Sequence, residues 1–513
     1  MASKSLIKGT IVLMVSSLAV RVLGFFYRIY LSNLIGAEGM GLIQLVTPVY
    51  ALVITTLTSG ISIAVSSIVS SEHAKHNVFN TRRITACAFV MVFTCAAFVS
   101  VLMYINLEFI VKAVFKDSRT YHAMLFLLPC FPVISAASAL RGYFYGTQDM
   151  VPTAVSQVAE QVVRITLVML TAGFMLKLGL EYACAVATAG MAIGEISNLT
   201  ILAVVYSVKK RRQRISAGYR ISRRRAVTEL LKIAIPVSSN RFISSVMNTV
   251  ENILIPRMLT AGGLNYQLSI SMFGKLSGMA MPLVYFPSVV TSSMATTLVP
   301  AVAEAVSLRN FRTANYRISR SIQISFIMGF IFTSIFYTNA SGISDVIYKY
   351  QDVGGLLKTL SFSCVFIYLQ QTLHGILNGL GKQGSIFRHV ITANIIRIFF
   401  VVFLMPVYGV NAYLAGMFIS MAVSSGLDIN TVMKTTGMIL DIKNWIIKPG
   451  IAGVCIILMN PLFHHFVSIF TSSQTLSVLL TVILNFLAGI VLMAAIGAIS
   501  FREIRDMLKI KKI

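Results

Sequence analysis

Apolar runs of about 20 residues recur from one end of this chain to the other. Each run is long enough to cross, as a helix, a hydrocarbon core of about 30 Å. Charged residues make up 12% of the sequence, whereas a soluble domain has about 25%. Transmembrane barrel strands would alternate apolar and polar residues in segments of about 10 residues, and these runs do not. The sequence therefore predicts an all-α polytopic membrane protein.

Fourteen transmembrane helices are predicted, with both chain ends in the cytoplasm. When the amino terminus is placed inside, the inner loops hold about 28 lysines and arginines and the outer loops about 8. Cytoplasmic loops of membrane proteins are enriched in lysine and arginine, so this asymmetry favours both chain ends inside. Two ends on the same side imply an even number of helices. The predicted helices cover residues 10–31, 41–70, 84–105, 122–145, 153–176, 182–206, 230–256, 276–304, 319–340, 357–380, 387–406, 410–433, 446–470 and 476–500.

The net charge of +26 would suggest a nucleic-acid partner in a soluble protein. Here the basic residues collect in loops, and no aromatic-rich soluble domain is present to contact bases, so we expect no nucleic-acid partner. The largest basic cluster is "KKRRQRISAGYRISRRR", residues 209–225. We interpret it as a loop that fixes orientation and contacts anionic lipids. The alternative is a segment that gates transport or recruits another protein.

Two stretches of the chain are related to each other. "LRGYFYGTQDMVPTAVSQVAEQVVRI" and "LHGILNGLGKQGSIFRHVITANIIRI" align without gaps at an offset of 233 residues. The Gly-x-x-x-Gly spacing in both is typical of close helix packing. The matched pairs include Gly142 with Gly375, Gly146 with Gly379, and Arg164 with Arg397, and near the same offset Pro48 with Pro282.

This repeat predicts two lobes of six helices each, followed by two further helices. The predicted segments are an N-lobe at 1–208, a basic cytoplasmic linker at 209–228, a C-lobe at 229–440, and helices 13 and 14 with a basic tail at 441–513. Because six is even, the lobes have the same orientation in the membrane. We therefore expect a pseudo-twofold axis along the membrane normal and a substrate site between the lobes.

Several arginines lie within the predicted spans, where charge is costly and by default marks a functional path. Arg164 and Arg397 lie about ten residues into their helices, which is about 15 Å and close to the midplane. The planar guanidinium fork suits phosphate oxygens, so an anionic, phosphate-bearing substrate is predicted. The predicted cavity residues are Arg21, Arg28, Arg164, Arg241, Arg397 and Glu160.

Other interpretations of these residues stay open. Glu160 and Arg164 are one helical turn apart, so they can also form a buried salt bridge that only neutralises itself. The remaining arginines can satisfy backbone carbonyls in packed or broken helices. A gating or coupling function is predicted for two acidic residues and for two prolines that can kink helices, namely Glu195, Glu251, Pro236 and Pro282.

Sequence motifs of common enzymes and cofactor sites are absent from the chain. The sequence contains no HExxH, no Walker A segment and no Asp-rich magnesium motif. We therefore expect no enzyme activity, no cofactor and no metal site. His374 and His389 lie near predicted helix ends and are given no function.

Two quoted stretches resemble a known family: "GTIVLMVSSLAVRVLGFFYRIYLSNLIGAEGMGLIQLVTPVYAL" and "LRGYFYGTQDMVPTAVSQVAEQVVR". With the two-lobe layout, they look like the multidrug/oligosaccharidyl-lipid/polysaccharide exporter superfamily. Within it, the chain is similar to the stage V sporulation protein B branch and to the lipid II flippases. In those flippases helix 1 carries "SRVLGF" and then a second cavity arginine. Arg21 matches the first arginine, Tyr27 stands at the position of the second, and Arg28 follows one residue later.

The resemblance implies a flippase or exporter. It would move a polyprenyl-pyrophosphate-linked saccharide across the bacterial inner membrane by alternating access. For the sporulation branch, the implied cargo is a peptidoglycan precursor for the spore cortex. Two alternatives are a cation- or proton-coupled multidrug antiporter of the same fold, and a non-transporting scaffold that recruits cell-wall synthesis proteins through basic loops.

Overall fold

The computed structural model is helical and describes residues 2–212, 219–349 and 352–498, with no strand in these ranges. The side chains of residues 2–11, 212, 240 and 352 lie outside this description. Among the described residues, eleven helices are long and apolar enough to cross a membrane. They become twelve when the bent pair Val353–Leu360 and Ser363–Gly379 is counted as one span. The predicted all-α membrane architecture is confirmed.

The chain divides into two compact units, and the first comprises Met1–Arg257 and Asn265–Gly274. Gly36, with φ at 69°, breaks the long first helix into two segments, which correspond to the first two predicted helices. The helices are α1 (Ala2–Ala74), α2 (Val78–Ile105), α3 (Leu107–Phe109), α4 (Thr120–Leu127), α5 (Cys130–Gly146), α6 (Val151–Leu176), α7 (Leu180–Arg212), α8 (Arg223–Ala261, up to Arg257 in this unit) and α9 (Tyr266–Phe273).

The second unit comprises Met258–Leu264 and Lys275–Ile513. Short π-helical or 3₁₀ turns interrupt its spans at 274–280, 286–288, 400–404 and 443–447. Its helices are α10 (Met281–Tyr285), α11 (Val289–Ser307), α12 (Phe311–Tyr348), α13 (Asp352–Leu360), α14 (Ser363–Gly379), α15 (Gln383–Phe399), α16 (Met405–Tyr408), α17 (Val410–Thr436), α18 (Lys448–Phe470) and α19 (Gln474–Ala495).

Each of the fourteen predicted helices overlaps a helix of the structure. Helix α8 is long enough to cross a membrane, but its mean hydropathy is too low for a membrane span. Arg241, Glu251 and two prolines lower this hydropathy. The count of fourteen membrane crossings therefore stays a prediction, as do the bounds of the predicted lobes. Residues 213–218 of the basic cluster and 499–513 of the basic tail lie outside the described residues.

Glycines allow close helix packing at matching places in the two units. A Cβ added at Gly142 would lie 2.8 Å from the carbonyl oxygen of Ser62, and one at Gly375 would lie 2.7 Å from that of Ala295. Ser62 and Ala295 are themselves 233 residues apart, the offset of the sequence repeat. The predicted packing function of the Gly-x-x-x-Gly pairs is confirmed. The second glycines repeat the pattern, Gly146 against Ser66 and Gly379 against Val299.

We expect Gly142→Val to destabilise the protein strongly, because the added side chain would press on the backbone of α1. Overpacking of this kind costs about 1–3 kcal/mol. Gly173→Val is the matched control, since nothing lies within 4 Å of the Cβ position at Gly173 in α6. Thermal unfolding of the purified variants measures the difference. Equal unfolding temperatures would contradict the packing argument.

Candidate substrate site

A cluster of polar side chains lies between α6 and α7 in the first unit. Nη2 of Arg164 is 2.5 Å from Oε1 of Glu160, and the two side chains are 17% and 14% exposed. The salt bridge that the sequence spacing allows between these residues is therefore present. Nδ2 of Asn198 donates to the other oxygen of Glu160 at 2.8 Å. We call Glu160, Gln161, Arg164, Glu195 and Asn198 the α6–α7 cluster.

Glu195 is the second carboxylate of the α6–α7 cluster, and the residue is 8% exposed. Its Oε2 atom lies 3.4 Å from Nδ2 of Asn198, so one amide group contacts both carboxylates. Arg141 of α5 interacts electrostatically with Glu195. Two carboxylates thus stand beside two guanidinium groups, those of Arg164 and Arg141, and the charges of these four side chains can balance.

Two glycines of α7 allow α7 to approach α6 closely enough for these hydrogen bonds to form. A Cβ at Gly194 would lie 2.9 Å from the Glu160 carbonyl oxygen and 3.4 Å from Cβ of Arg164. A Cβ at Gly190 would lie 2.5 Å from Cγ2 of Val168. Larger residues at either position would separate α7 from α6, and Asn198 would no longer reach Glu160.

Two buried polar atoms of the α6–α7 cluster have no hydrogen-bond partner in the described part of the chain. They are Nε of Arg164 and Oδ1 of Asn198. A buried polar group without a partner costs about 1–3 kcal/mol. Each atom would gain a hydrogen bond from water or a polar ligand group that entered the cluster.

The first segment of α1 packs along α6 beside this cluster. A Cβ at Gly24 would lie 3.5 Å from Nε2 of Gln161. Further along the segment, the Tyr30 hydroxyl donates to the carbonyl oxygen of Met169 at 3.4 Å. The segment that contains both helix-1 arginines thus borders the α6–α7 cluster.

The two predicted arginines of α1 differ in burial. Arg21 is exposed, and Arg28 is half-buried. Tyr27, between them in sequence, interacts electrostatically with both Arg28 and Arg164. The structure therefore places Arg28 and Arg164 around a shared neighbour, with Arg21 two turns before Arg28 on the same segment.

The other predicted residues of the first unit lie on α8. Arg241 and Pro236 are exposed, whereas Glu251 is 3% exposed. The Thr249 hydroxyl donates to the Pro48 carbonyl at 3.0 Å, so this part of α8 packs against the second segment of α1. These residues are thus positioned by a different helix contact from that of the α6–α7 cluster.

Arg397 and Pro282 belong to the second unit. Arg397 of α15 donates a hydrogen bond to Oδ1 of Asn394, three residues earlier. In the first unit Nη1 of Arg164 contacts Oε1 of Gln161 at the same spacing, at 3.4 Å. Both repeats therefore contain an arginine–amide pair on the corresponding helix. Pro282 is at the start of α10.

Several members of the site were not predicted from the sequence. Asn198 stands one turn after Glu195, but its contact with Glu160 depends on how α7 meets α6. Tyr50 stacks on Phe131 with ring centroids 6.1 Å apart and interacts electrostatically with Glu195. For Asn198, the one-turn spacing from a glutamate in an apolar helix was the available signal.

We expect Asn198→Ala to destabilise the protein by about 1–3 kcal/mol, because both carboxylates would lose their shared donor. Asn252→Ala on α8 is the control, since the Asn252 amide bonds locally to the Asn248 carbonyl in an exposed setting. Thermal unfolding in detergent compares the two variants. If they unfold alike, the bridge between Glu160 and Glu195 does not stabilise the fold.

Fold and site together define a polytopic helical membrane protein with a buried polar cluster between apolar helices. The family model described as "Polysaccharide biosynthesis protein" matches residues 6–306, more than half of the chain, and the chain belongs to this family. It is thereby a member of the multidrug/oligosaccharidyl-lipid/polysaccharide exporter superfamily, as the sequence resemblance indicates.

Two relatives from Bacillus subtilis (strain 168) are informative. Stage V sporulation protein B is 27% identical over 464 residues, which cover 89% of each chain. Lipid II flippase MurJ is 26% identical over 338 residues, which cover 63% of this chain and 62% of the flippase.

Solved structures share the fold at low sequence identity. Lipid II flippase MurJ in its inward closed conformation aligns with a TM-score of 0.71 at 13% identity, covering 96% of this chain and 100% of that chain. An inward-facing multidrug resistance MATE family transporter aligns with a TM-score of 0.61 at 15% identity, covering 82% and 96%. These likenesses concern the fold alone.

Proposed function

We propose that this protein translocates a polyprenyl-pyrophosphate-linked oligosaccharide across the bacterial cytoplasmic membrane by alternating access. Family membership and the relatives named as a sporulation protein and a lipid II flippase support the proposal. The specific cargo we propose is a lipid II-like peptidoglycan precursor for the spore cortex. Both chain ends would lie in the cytoplasm, and basic loops would contact anionic lipids.

The observation that carries the proposal is the grouping of arginines in the first unit. The α1 segment with Arg21 and Arg28 borders the cluster that contains Arg164. A guanidinium group donates two parallel hydrogen bonds to phosphate oxygens, and a pyrophosphate offers several such oxygens. Arg21 would bind the pyrophosphate, assisted by Arg28 and by Arg164, Arg241 or Arg397. The saccharide would occupy a hydrated cavity, while the polyprenyl chain stays in lipid.

Arg164 would contact the substrate differently from Arg21, because Arg164 already forms an ion pair with Glu160. Glu160 already occupies Nη2 of Arg164, whereas Nε of Arg164 has no partner among the described residues. A phosphate oxygen that entered the α6–α7 cluster would contact Nε without displacing the carboxylate. Glu160 would hold Arg164 in position, and Asn198 would hold Glu160.

Reconstitution tests the function directly. Purified protein in liposomes should move a fluorescent polyprenyl-pyrophosphate saccharide between leaflets, and protein-free liposomes should not. Export of a cationic dye driven by a pH gradient is measured in the same liposomes. Dye transport without movement of the lipid-linked saccharide would contradict the proposal.

A proton-coupled multidrug antiporter is the second candidate, and the contact of one amide with both Glu160 and Glu195 favours it. Such a pump needs an acidic group that takes up and releases a proton. Glu160→Gln should then abolish dye transport. The arginines beside this acidic pair favour an anionic substrate instead.

A scaffold that recruits cell-wall synthesis proteins through the basic cluster 209–225 is the third candidate. Deletion of these residues would then abolish function in cells, whereas Arg21→Ala would be tolerated. The flippase proposal expects Arg21→Ala to abolish complementation and expects the deletion variant, when correctly inserted, to retain flipping in liposomes.

A further inference from the structure

Within the second unit, a fully buried carboxylate lies between two histidines. Asp428 of α17 is 0% exposed. Its Oδ1 atom is 2.7 Å from Nδ1 of His389 on α15, and its Oδ2 atom is 3.5 Å from Nε2 of His374 on α14. We call these three residues the Asp–His cluster. It connects three helices of one unit, and the two histidines were given no function from the sequence.

Within the Asp–His cluster, Asp428 is hydrogen-bonded to His389 but not to His374. Oδ2 of Asp428 and Nε2 of His374 are both buried, and neither has a hydrogen-bond partner in the described residues. At 3.5 Å the two atoms are just too far apart for a good hydrogen bond. Such a bond requires a proton on Nε2 of His374. Imidazole gains and loses its proton between about pH 5 and pH 8.

No lysine or arginine pairs with Asp428 within the described part of the chain. Charged and titratable groups on the helices packed against α17 contact other residues. Arg388 contacts Ser385, Arg397 contacts Asn394, Arg317 donates to the Ala301 carbonyl, Arg320 donates to Gln323, the Tyr368 hydroxyl donates to the Val284 carbonyl, and Lys434 is exposed. Among the groups that contact Asp428, only the two histidines can carry a positive charge.

The internal repeat supplies an independent argument. Asp428 and Glu195 are 233 residues apart, and so are His374 and Arg141. In the first unit a buried carboxylate interacts with an arginine, which stays charged at any physiological pH. At the same positions of the second unit, a buried carboxylate faces a histidine, a residue type that can be neutral or cationic. The repeat thus pairs a permanent cation in one unit with a titratable one in the other.

We propose that Asp428, His374 and His389 form a proton-binding site of the second unit. A proton taken from water binds Nε2 of His374, and the resulting imidazolium donates to Oδ2 of Asp428, which joins α14 to α17. Release of that proton from Nε2 leaves the neutral imidazole with its hydrogen on Nδ1, so that Nε2 can no longer donate and the hydrogen bond is lost. Proton binding itself is independent of what the protein transports, whereas a coupling of the site to transport rests on the proposed function.

Thermal unfolding of the purified full-length chain at about pH 5.5 and about pH 8 tests the site, since these values bracket the range of histidine. The measured quantity is the difference in unfolding temperature between each variant and wild type at each pH. The site should stabilise wild type at acid pH by about 2–4 °C in unfolding temperature, and this increment should be lost as the pH rises. Asp428→Asn should remove the increment, because the imidazolium would then lack its anion.

The repeat also supplies the matched control. His374→Arg installs the residue that the first unit has at this position, so its unfolding temperature should depend less on pH than that of wild type. His374→Gln serves the same purpose if the larger side chain prevents folding. Wild type, Asp428→Asn and His374→Gln with the same pH profile would overturn the proposal. So would a stabilisation of wild type by sodium over potassium that Asp428→Asn abolishes, since the ligand would then be a metal ion.

Flipping assays at the same two pH values show whether the site is coupled to transport. We expect the rate of wild type to depend on pH and that of His374→Arg to depend on it less. A wild-type protein that moves no lipid-linked saccharide at either pH would refute the proposed function. The unfolding experiment would still decide whether the Asp–His cluster binds a proton.

Discussion

Arg164→Ala is expected to lower the free energy of unfolding by about 3–5 kcal/mol, because it leaves a largely buried carboxylate without its cation. The Glu160 side chain is 14% exposed, and its partner Nη2 of Arg164 lies 2.5 Å away. In the double variant Glu160→Gln with Arg164→Ala, most of the loss should be recovered. The neutral amide that replaces the carboxylate can still accept from Asn198 through its oxygen, and the charges of this pair are gone.

Lys112→Ala is the matched control for this ion pair. Lys112 and Glu108 have the same spacing of four residues, at 3.2 Å, but their side chains are 72% and 75% exposed. Exposed pairs contribute about 0–1 kcal/mol, so this variant should unfold almost as wild type does. Equal losses in Arg164→Ala and Lys112→Ala would show that the α6–α7 cluster is hydrated rather than buried.

Arg21→Ala is expected to lower the rate of saccharide flipping by roughly 10- to 100-fold while leaving the unfolding temperature unchanged. A hydrogen bond to a charged group contributes about 1.5–3 kcal/mol, which corresponds to that range. The exposed position of Arg21 on α1 predicts little effect on folding. Arg21→Lys should be intermediate, because an ammonium group keeps the charge but loses the planar fork.

Lys177→Ala removes a positive charge just after α6 and controls for net charge. It should flip at the wild-type rate. Normal flipping by both Arg21→Ala and Arg21→Lys, at normal expression, would remove Arg21 from the substrate site. In that case Arg28 and Arg164 become the first residues to test.

Local spacing made part of the site predictable from the sequence. Glu160 and Arg164 are four residues apart on one helix, and such residues meet regardless of the tertiary fold. The glycine pairs and their 233-residue offset likewise predicted close packing, which the contacts of Gly142 and Gly375 confirm. Apolar run length predicted the helical membrane class, because a membrane span must satisfy its own backbone bonds.

Contacts between distant helices were not predictable in the same way. The contact of Asn198 with Glu160 depends on the approach that Gly190 and Gly194 permit between two helices. Asp428 and His374 are 54 residues apart, so no local spacing connects them. The repeat was the available signal, because its offset maps Glu195 onto Asp428. Hydropathy does not identify α8 as a membrane span, because charges and prolines lower its mean hydropathy, and the crossing predicted at 230–256 stays a prediction.

Binding of the pyrophosphate of a lipid-linked saccharide by the first unit is the main step of the proposed function. Its most direct test is the equilibrium binding of a polyprenyl-pyrophosphate saccharide and of an uncharged polyprenyl glycoside with the same sugar, to the purified protein in nanodiscs. We predict that wild type binds the pyrophosphate lipid at least about tenfold more tightly, and that Arg21→Ala loses most of this preference. Equal affinity of wild type for the two lipids, or an unchanged preference in Arg21→Ala, would contradict the claim.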